Sequence, residues 1–167
     1  MTPDDIIAIP DARAMQAFGR SFASQLGCGD VVLLHGDLGA GKTTLTQGIA
    51  AGLGVAGPVQ SPTFSIVAEH DGVDAGGGAI RLYHLDLYRL SDSGDLEALG
   101  YDQYIAPLDG ISVIEWPERA GAWLPERFWL LRITHSGTGG RWIELSRHEP
   151  GPVSMQSSSL KPSNRPW

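Results

Sequence analysis

The spacing Gly36-x-x-x-x-Gly41-Lys42-Thr43 constrains this chain more than any other feature. It is the phosphate-binding loop pattern, and its flanks suit it: Val31 to Leu34 is an apolar run, and Thr43 to Leu53 carry a helical pattern. Glycines 36, 39 and 41 let the backbone curl so that successive N–H groups point at an anion. Lys42 offers a positive charge to β- and γ-phosphates, and the Thr43 hydroxyl can ligate Mg²⁺. The helix beyond adds its N-terminal partial positive charge. The expected nucleotide-binding set is therefore Asp37, Leu38, Gly39, Ala40, Gly41, Lys42, Thr43 and Thr44. With 22 glycines in the chain a chance match is the alternative, and the strand–loop–helix context argues against it.

At 167 residues and 42% hydrophobic, the chain suits one globular domain with a real core. It has no apolar run long enough to span a bilayer and an acidic rather than basic N-terminus, so neither membrane insertion nor a signal peptide is expected. The lone Cys28 excludes an intrachain disulfide and suits a reducing cytoplasm. A formal net charge of −7 argues against a broad electrostatic grip on nucleic acid, and the two lysines, Lys42 and Lys161, form no basic cluster. Strong direct binding to nucleic acid is not expected, and a role in a nucleic-acid pathway would run through protein partners.

Along the chain, Ile6–Ile9 reads as a strand, and Asp11 caps a helix carrying Met15, Phe18, Phe22 and Leu26. Residues 64–90 read as a β-hairpin, with strands at Phe64–His70 and 80–90 and a Gly-rich loop from Asp71 to Gly78. Leu96–Leu99 suits one or two helical turns. Ile111–Ile114 suits a buried parallel strand beside the phosphate-loop strand. Residues 117–124 read as helix or turn, and 127–134 with 141–147 as a final hairpin. The expected architecture is a three-layer α/β P-loop NTPase fold with a mixed parallel and antiparallel sheet, over residues 1–148. Residues 149–167, rich in Pro and Ser, read as a disordered or surface-draped tail.

A phosphate-loop enzyme needs a carboxylate to hold Mg²⁺ or its water, and a group to orient the nucleophile. Glu115 closes a buried strand at the edge where the loop lies. Period-two alternation puts His84, Asp86 and Tyr88 on one strand face and Tyr83, Leu85 and Leu87 on the other. A strand-end Asp also serves ordinary turns, and His84 alone also fits a structural role. Ser61, Pro62 and Thr63 have the makings of a nucleotide-sensing switch, or of a simple turn cap. Trp116 either stacks on a ligand or partner or covers the sheet edge.

Three enzyme classes compete. A GTPase is disfavoured because the guanine-reading Asn-Lys-x-Asp is missing; the one asparagine is Asn164. A small-molecule kinase with Asp86 as base is the alternative, although the segment after Leu90 is acidic rather than an arginine-rich lid. The third is an ATPase that drives a partner's conformational cycle.

Five ordered motifs narrow the choice: Gly36-Asp-Leu-Gly-Ala-Gly-Lys-Thr-Thr, Ser61-Pro-Thr-Phe, His84-Leu-Asp-Leu-Tyr-Arg-Leu, Leu99-Gly-Tyr-Asp-Gln-Tyr and Ile114-Glu-Trp-Pro-Glu-Arg. In these the chain closely resembles the TsaE (YjeE) family, over roughly residues 4 to 148. The resemblance implies an ATPase, with ATP and Mg²⁺, that binds the TsaB–TsaD pair. That pair places a threonylcarbamoyl group on the adenosine next to the anticodon of tRNAs reading ANN codons. ATP hydrolysis then resets the complex between turnovers. The resemblance further implies that Lys42 binds phosphate, Thr43 and Glu115 hold Mg²⁺, and Asp86 positions or activates water. By the same resemblance Trp116 supports the site, Ser61-Pro62-Thr63 responds to nucleotide, and the region around Ala12 lies near the adenine. Two departures stand out: the Asp71–Gly78 loop looks longer than the family's hairpin, and the tail lies outside the resemblance.

Overall fold

The computed structural model describes residues 5–62, 65–91 and 94–151. The elements run β1 (Asp5–Ile9), α1 (Ala12–Ala23), β2 (Val31–His35), α2 (Lys42–Gly52), β3 (Val67–Val73), β4 (Ala79–Asp86), α3 (Gly94–Ala98), α4 (Asp102–Ile105), β5 (Gly110–Glu115), β6 (Phe128–His135) and β7 (Arg141–His148), with a 3₁₀ turn at Pro117–Ala120. Seven strands form one sheet in the order β1-β7-β6-β2-β5-β4-β3. The centre is parallel (β6, β2, β5, β4), and antiparallel partners flank it on both sides. The mixed sheet and the place of β5 beside β2 are as the sequence predicts.

Each face of the sheet is buried by a different layer. α1 and α2 cover one face, where Met15, Phe22, Leu45 and Ile49 pack on Val32, Leu34, Val113 and Leu131. The short α3 and α4 cover the other, where Leu96, Tyr101 and Tyr104 pack on Leu33, Leu85, Ile114 and Leu130. Strands covered on both sides read as continuous apolar runs, and every residue of β5 is buried. The α1–α2 crossing is close because Gly19 meets the second helix without a side chain; a Cβ there would lie 2.7 Å from the Leu45 carbonyl oxygen. Asp11 caps α1 as its sequence position predicts, accepting from the Ala14 N–H at 2.7 Å.

Several expected boundaries shift. The strand expected at Phe64–His70 is β3, Val67–Val73, and Phe64 lies outside the described residues. Asp71 and Gly72, read from sequence as loop, pair with Arg81 and Ile80 across the ladder. The true turn is Asp74–Gly78, where the Asp74 carboxylate accepts from the Gly76 and Gly78 N–H groups. The departure from a compact hairpin is thus smaller than the sequence implied. The returning strand stops at Asp86 rather than 90, because the chain turns after Leu87, with Leu90 N–H donating to the Leu87 carbonyl. In the tail, 152–167 lie outside the described residues.

Candidate functional site

The phosphate loop joins the C-terminal end of β2 to the N-terminus of α2, as its spacing requires. Gly39 (φ +78°) and Gly41 (φ +110°) occupy the left-handed region, which only glycine enters without a Cβ penalty. Lys42 is buried and donates to the Gly36 carbonyl oxygen at 2.5 Å and to that of Asp37 at 2.7 Å. Burial lowers its pKa, while Glu115 and, more weakly, Glu118, Asp86 and Asp37 act to raise it. The ammonium also sits 4.1 Å from the centroid of the Trp116 ring.

The parallel pairing of β2, β5 and β4 brings the carboxylates in. Leu34, Glu115 and Asp86 stand in register, so two acidic side chains end adjacent strands beside the loop. Thr43 Oγ1 donates to Glu115 Oε1 at 3.0 Å. The other Glu115 oxygen lies 3.3 Å from Nε2 of the fully buried His84. Asp86 accepts from the Ser61 hydroxyl at 2.5 Å and from the Tyr88 N–H at 3.0 Å. Ser61 is therefore tied to Asp86; Pro62 lines the adjoining cleft, and Thr63 lies outside the described residues.

Trp116 follows Glu115 in a left-handed conformation (φ 60°, ψ 50°), the one such non-glycine among the described residues. That geometry costs on the order of 1–3 kcal/mol and tends to persist where the surroundings over-determine it. Here it lays the indole between Lys42 and the Tyr88 ring, whose centroid is 4.9 Å away.

Two hollows flank the loop crest. One, of about 310 Å³, is lined by Lys42, Thr43, Ser61, Asp86, Glu115 and Trp116. The other, of about 150 Å³, lies between Ala12, Met15, Gly39, Thr44, Gly139 and Arg141. Ala12, which the resemblance puts near the adenine, is among the residues that line this second hollow. Leu38, at the crest, is 71% exposed. Sequence reading missed Arg141, which donates to the Ala40 and Gly39 carbonyls from the start of β7. It also left open the His84–Glu115 contact and passed over Arg89, which lines the cleft adjoining Asp86.

The residues fit a hard divalent cation. Thr43 and Glu115 offer oxygen donors 3.0 Å apart at the loop's end. No cluster of three His, Cys, Asp or Glu side chains with cation-holding geometry occurs among the described residues, so phosphate oxygens and water would complete the shell, as Mg²⁺ prefers.

A glycine-rich loop from a central parallel strand into a buried Lys-Thr helix start, with a carboxylate on the neighbouring strand end, defines a P-loop NTPase fold. The sequence model of the threonylcarbamoyl adenosine biosynthesis protein TsaE matches residues 9–143, and the chain belongs to the TsaE family, whose members take part in tRNA threonylcarbamoyladenosine biosynthesis. It is 47% identical over 114 residues to the tRNA threonylcarbamoyladenosine biosynthesis protein TsaE of Synechocystis, covering 66% of this chain and 69% of that one. The protein of the same name from Haemophilus influenzae is 43% identical over 132 residues, covering 76% and 80%. The crystal structure of Bacillus subtilis YdiB superposes with a TM-score of 0.71 at 32% identity, covering 89% of this chain and 88% of that one.

Proposed function

We propose that this protein is a Mg²⁺-dependent ATPase that binds a TsaB–TsaD-type complex and drives its cycle in tRNA threonylcarbamoyladenosine formation. The observation that carries the reading is the convergence of Lys42, Thr43, Glu115 and Asp86 on one hollow. The loop N–H groups and the Lys42 ammonium bind the triphosphate, for which Lys42 exchanges its carbonyl partners for phosphate oxygens. Thr43 and Glu115 would hold Mg²⁺, which would supply charge neutralisation for the polyphosphate. Asp86 orients a water in line with the γ-phosphorus and takes its proton; the water oxygen bonds to phosphorus as the bond to the ADP oxygen breaks. The base sits in the hollow beside Ala12.

The Ser61–Asp86 bond gives the reading its coupling device. A water or phosphate that draws Asp86 away from the Ser61 hydroxyl removes one hold on the segment that follows α2, and this links the nucleotide state to that segment. The family's place in tRNA modification supports a TsaB–TsaD-type partner and work in the cytoplasm. No helix among the described residues is long and apolar enough to cross a membrane.

The test is ATP turnover by the purified chain with and without the TsaB–TsaD pair. Slow turnover alone and a clear rise with the pair is expected; equal rates overturn partner-coupled hydrolysis. Mass spectrometry of the products separates the kinase alternative, since a phosphorylated metabolite in place of free phosphate makes Asp86 the base for an acceptor hydroxyl.

A further inference from the structure

The β6–β7 hairpin lies far from the phosphate-loop motif in sequence, yet Arg141 at its return reaches the loop crest. Its Nε donates to the Ala40 carbonyl oxygen at 3.1 Å, and Nη2 to that of Gly39 at 3.2 Å. Nη1 donates to the carbonyls of Gly139 at 3.1 Å and Gly140 at 3.0 Å within the hairpin. None of these four partners is a carboxylate; the guanidinium is spent on backbone oxygens. The hairpin is itself held tight to β1, since a Cβ on Gly140 would stand 2.8 Å from the Ile9 carbonyl oxygen.

This arrangement answers a geometric requirement. A loop that turns successive N–H groups inward on an anion turns carbonyls of the same segment outward. In a segment with glycines at 39 and 41 those peptides rotate cheaply, and rotation would spoil the cradle. A planar guanidinium holds two consecutive carbonyls with donors fixed in one fork, whereas the three donors of an ammonium turn about the end of a flexible stem and set no fork geometry.

We infer that Arg141 is a positioning residue for the polyphosphate: by holding the Gly39 and Ala40 carbonyls outward, it keeps the crest N–H groups aimed inward before nucleotide arrives. The inference rests on the reading of this loop as a triphosphate cradle. Lys42 secures the near end of the loop through Gly36 and Asp37, and Arg141 secures the crest, so the loop is braced from both sides. Preorganisation of this kind shows as affinity, because the free protein no longer loses loop freedom on binding.

The test titrates the full chain with ADP and with inorganic tripolyphosphate, which has no base or sugar. Arg141→Lys and Arg141→Gln are both expected to weaken both ligands, by on the order of tenfold, with kcat at saturating ATP within about threefold of wild type. Methylguanidinium is expected to restore tripolyphosphate binding to Arg141→Ala. Unchanged affinities with only a lower melting temperature would make Arg141 a hairpin tether and overturn the inference. Wild-type affinity in Arg141→Lys overturns the fork in favour of bare charge. Loss of ADP binding with intact tripolyphosphate binding overturns it in favour of a wall for the base. A wild-type chain that binds neither ligand overturns the nucleotide reading itself, a result distinct from all three.

Discussion

Thr43 Oγ1 and Glu115 Oε1 meet at 3.0 Å across 72 positions of chain. The contact exists because β2 and β5 are parallel neighbours whose C-terminal ends lie level, with Leu34 opposite Glu115. A hydroxyl at a helix start and a carboxylate at a strand end are thereby held side by side, two side-chain oxygens next to the loop.

If that pair holds Mg²⁺, Glu115→Gln is expected to raise the Mg²⁺ concentration needed for tight ATP binding by on the order of 10- to 100-fold. Nucleotide binding measured in excess chelator should change little, which separates metal binding from loop collapse. An unaltered Mg²⁺ dependence would remove Glu115 from the cation site.

Asp86→Asn is expected to spare ATP affinity and lower turnover by roughly 10²- to 10⁴-fold, the usual worth of a positioned base. Single-turnover kinetics with partner present would read the chemical step directly. Lys42→Ala should instead lose affinity if its ammonium is the phosphate contact proposed above. A normal rate for Asp86→Asn would reassign that carboxylate to the Ser61 tether alone.

Lys42 lies 4.1 Å from the Trp116 ring centroid, and on the proposed reading its ammonium turns from two carbonyl partners toward phosphate. Nucleotide addition is therefore expected to change Trp116 emission. The chain has five tryptophans, so the signal is assigned by its loss in Trp116→Phe and in Lys42→Ala. Persistence of the full change in Trp116→Phe would mean that another indole reports binding.

On the far side of the sheet, burial first, then the hydrogen bond to Asp109 at 2.7 Å, pushes the Tyr83 phenol up to about 12 from its ordinary value of 10.0. The folded chain holds this proton more tightly than the unfolded chain does. The resulting stability is complete below pH 10 and is lost as pH rises toward 12. Denaturant melts across that window should steepen in wild type relative to Tyr83→Phe. Equal pH slopes in the two proteins would remove Tyr83 from the alkaline transition.

Much of the site was legible because its signals are local. The loop spacing, the apolar run of β2 and the helical pattern of α2 all lie within about twenty residues, and β5 announces itself by burial on both faces. Period-two alternation correctly put His84 and Asp86 on one side of β4, with Leu85 on the other. The β3 boundary failed because Asp71 and Gly72 are turn formers by type. Pairing with Arg81 and Ile80 overrides that preference. Nothing near Arg141 in sequence points to Gly39, since their contact depends on β7 lying next to β6 and β6 next to β2.

By itself, the sequence determined which groups this protein brings to its chemistry: a glycine loop able to curl, a lysine, a threonine, two carboxylates at strand ends and an aromatic beside one of them. These follow from residue type and short-range periodicity, which are written along the chain. Only the tertiary structure decided how they meet. Strand order set Glu115 against Thr43 and His84, laid Trp116 over Lys42, and brought Arg141 to the crest of the loop. The reason is physical: register and layer packing are settled by burying both sheet faces at once, a condition no local stretch of sequence contains.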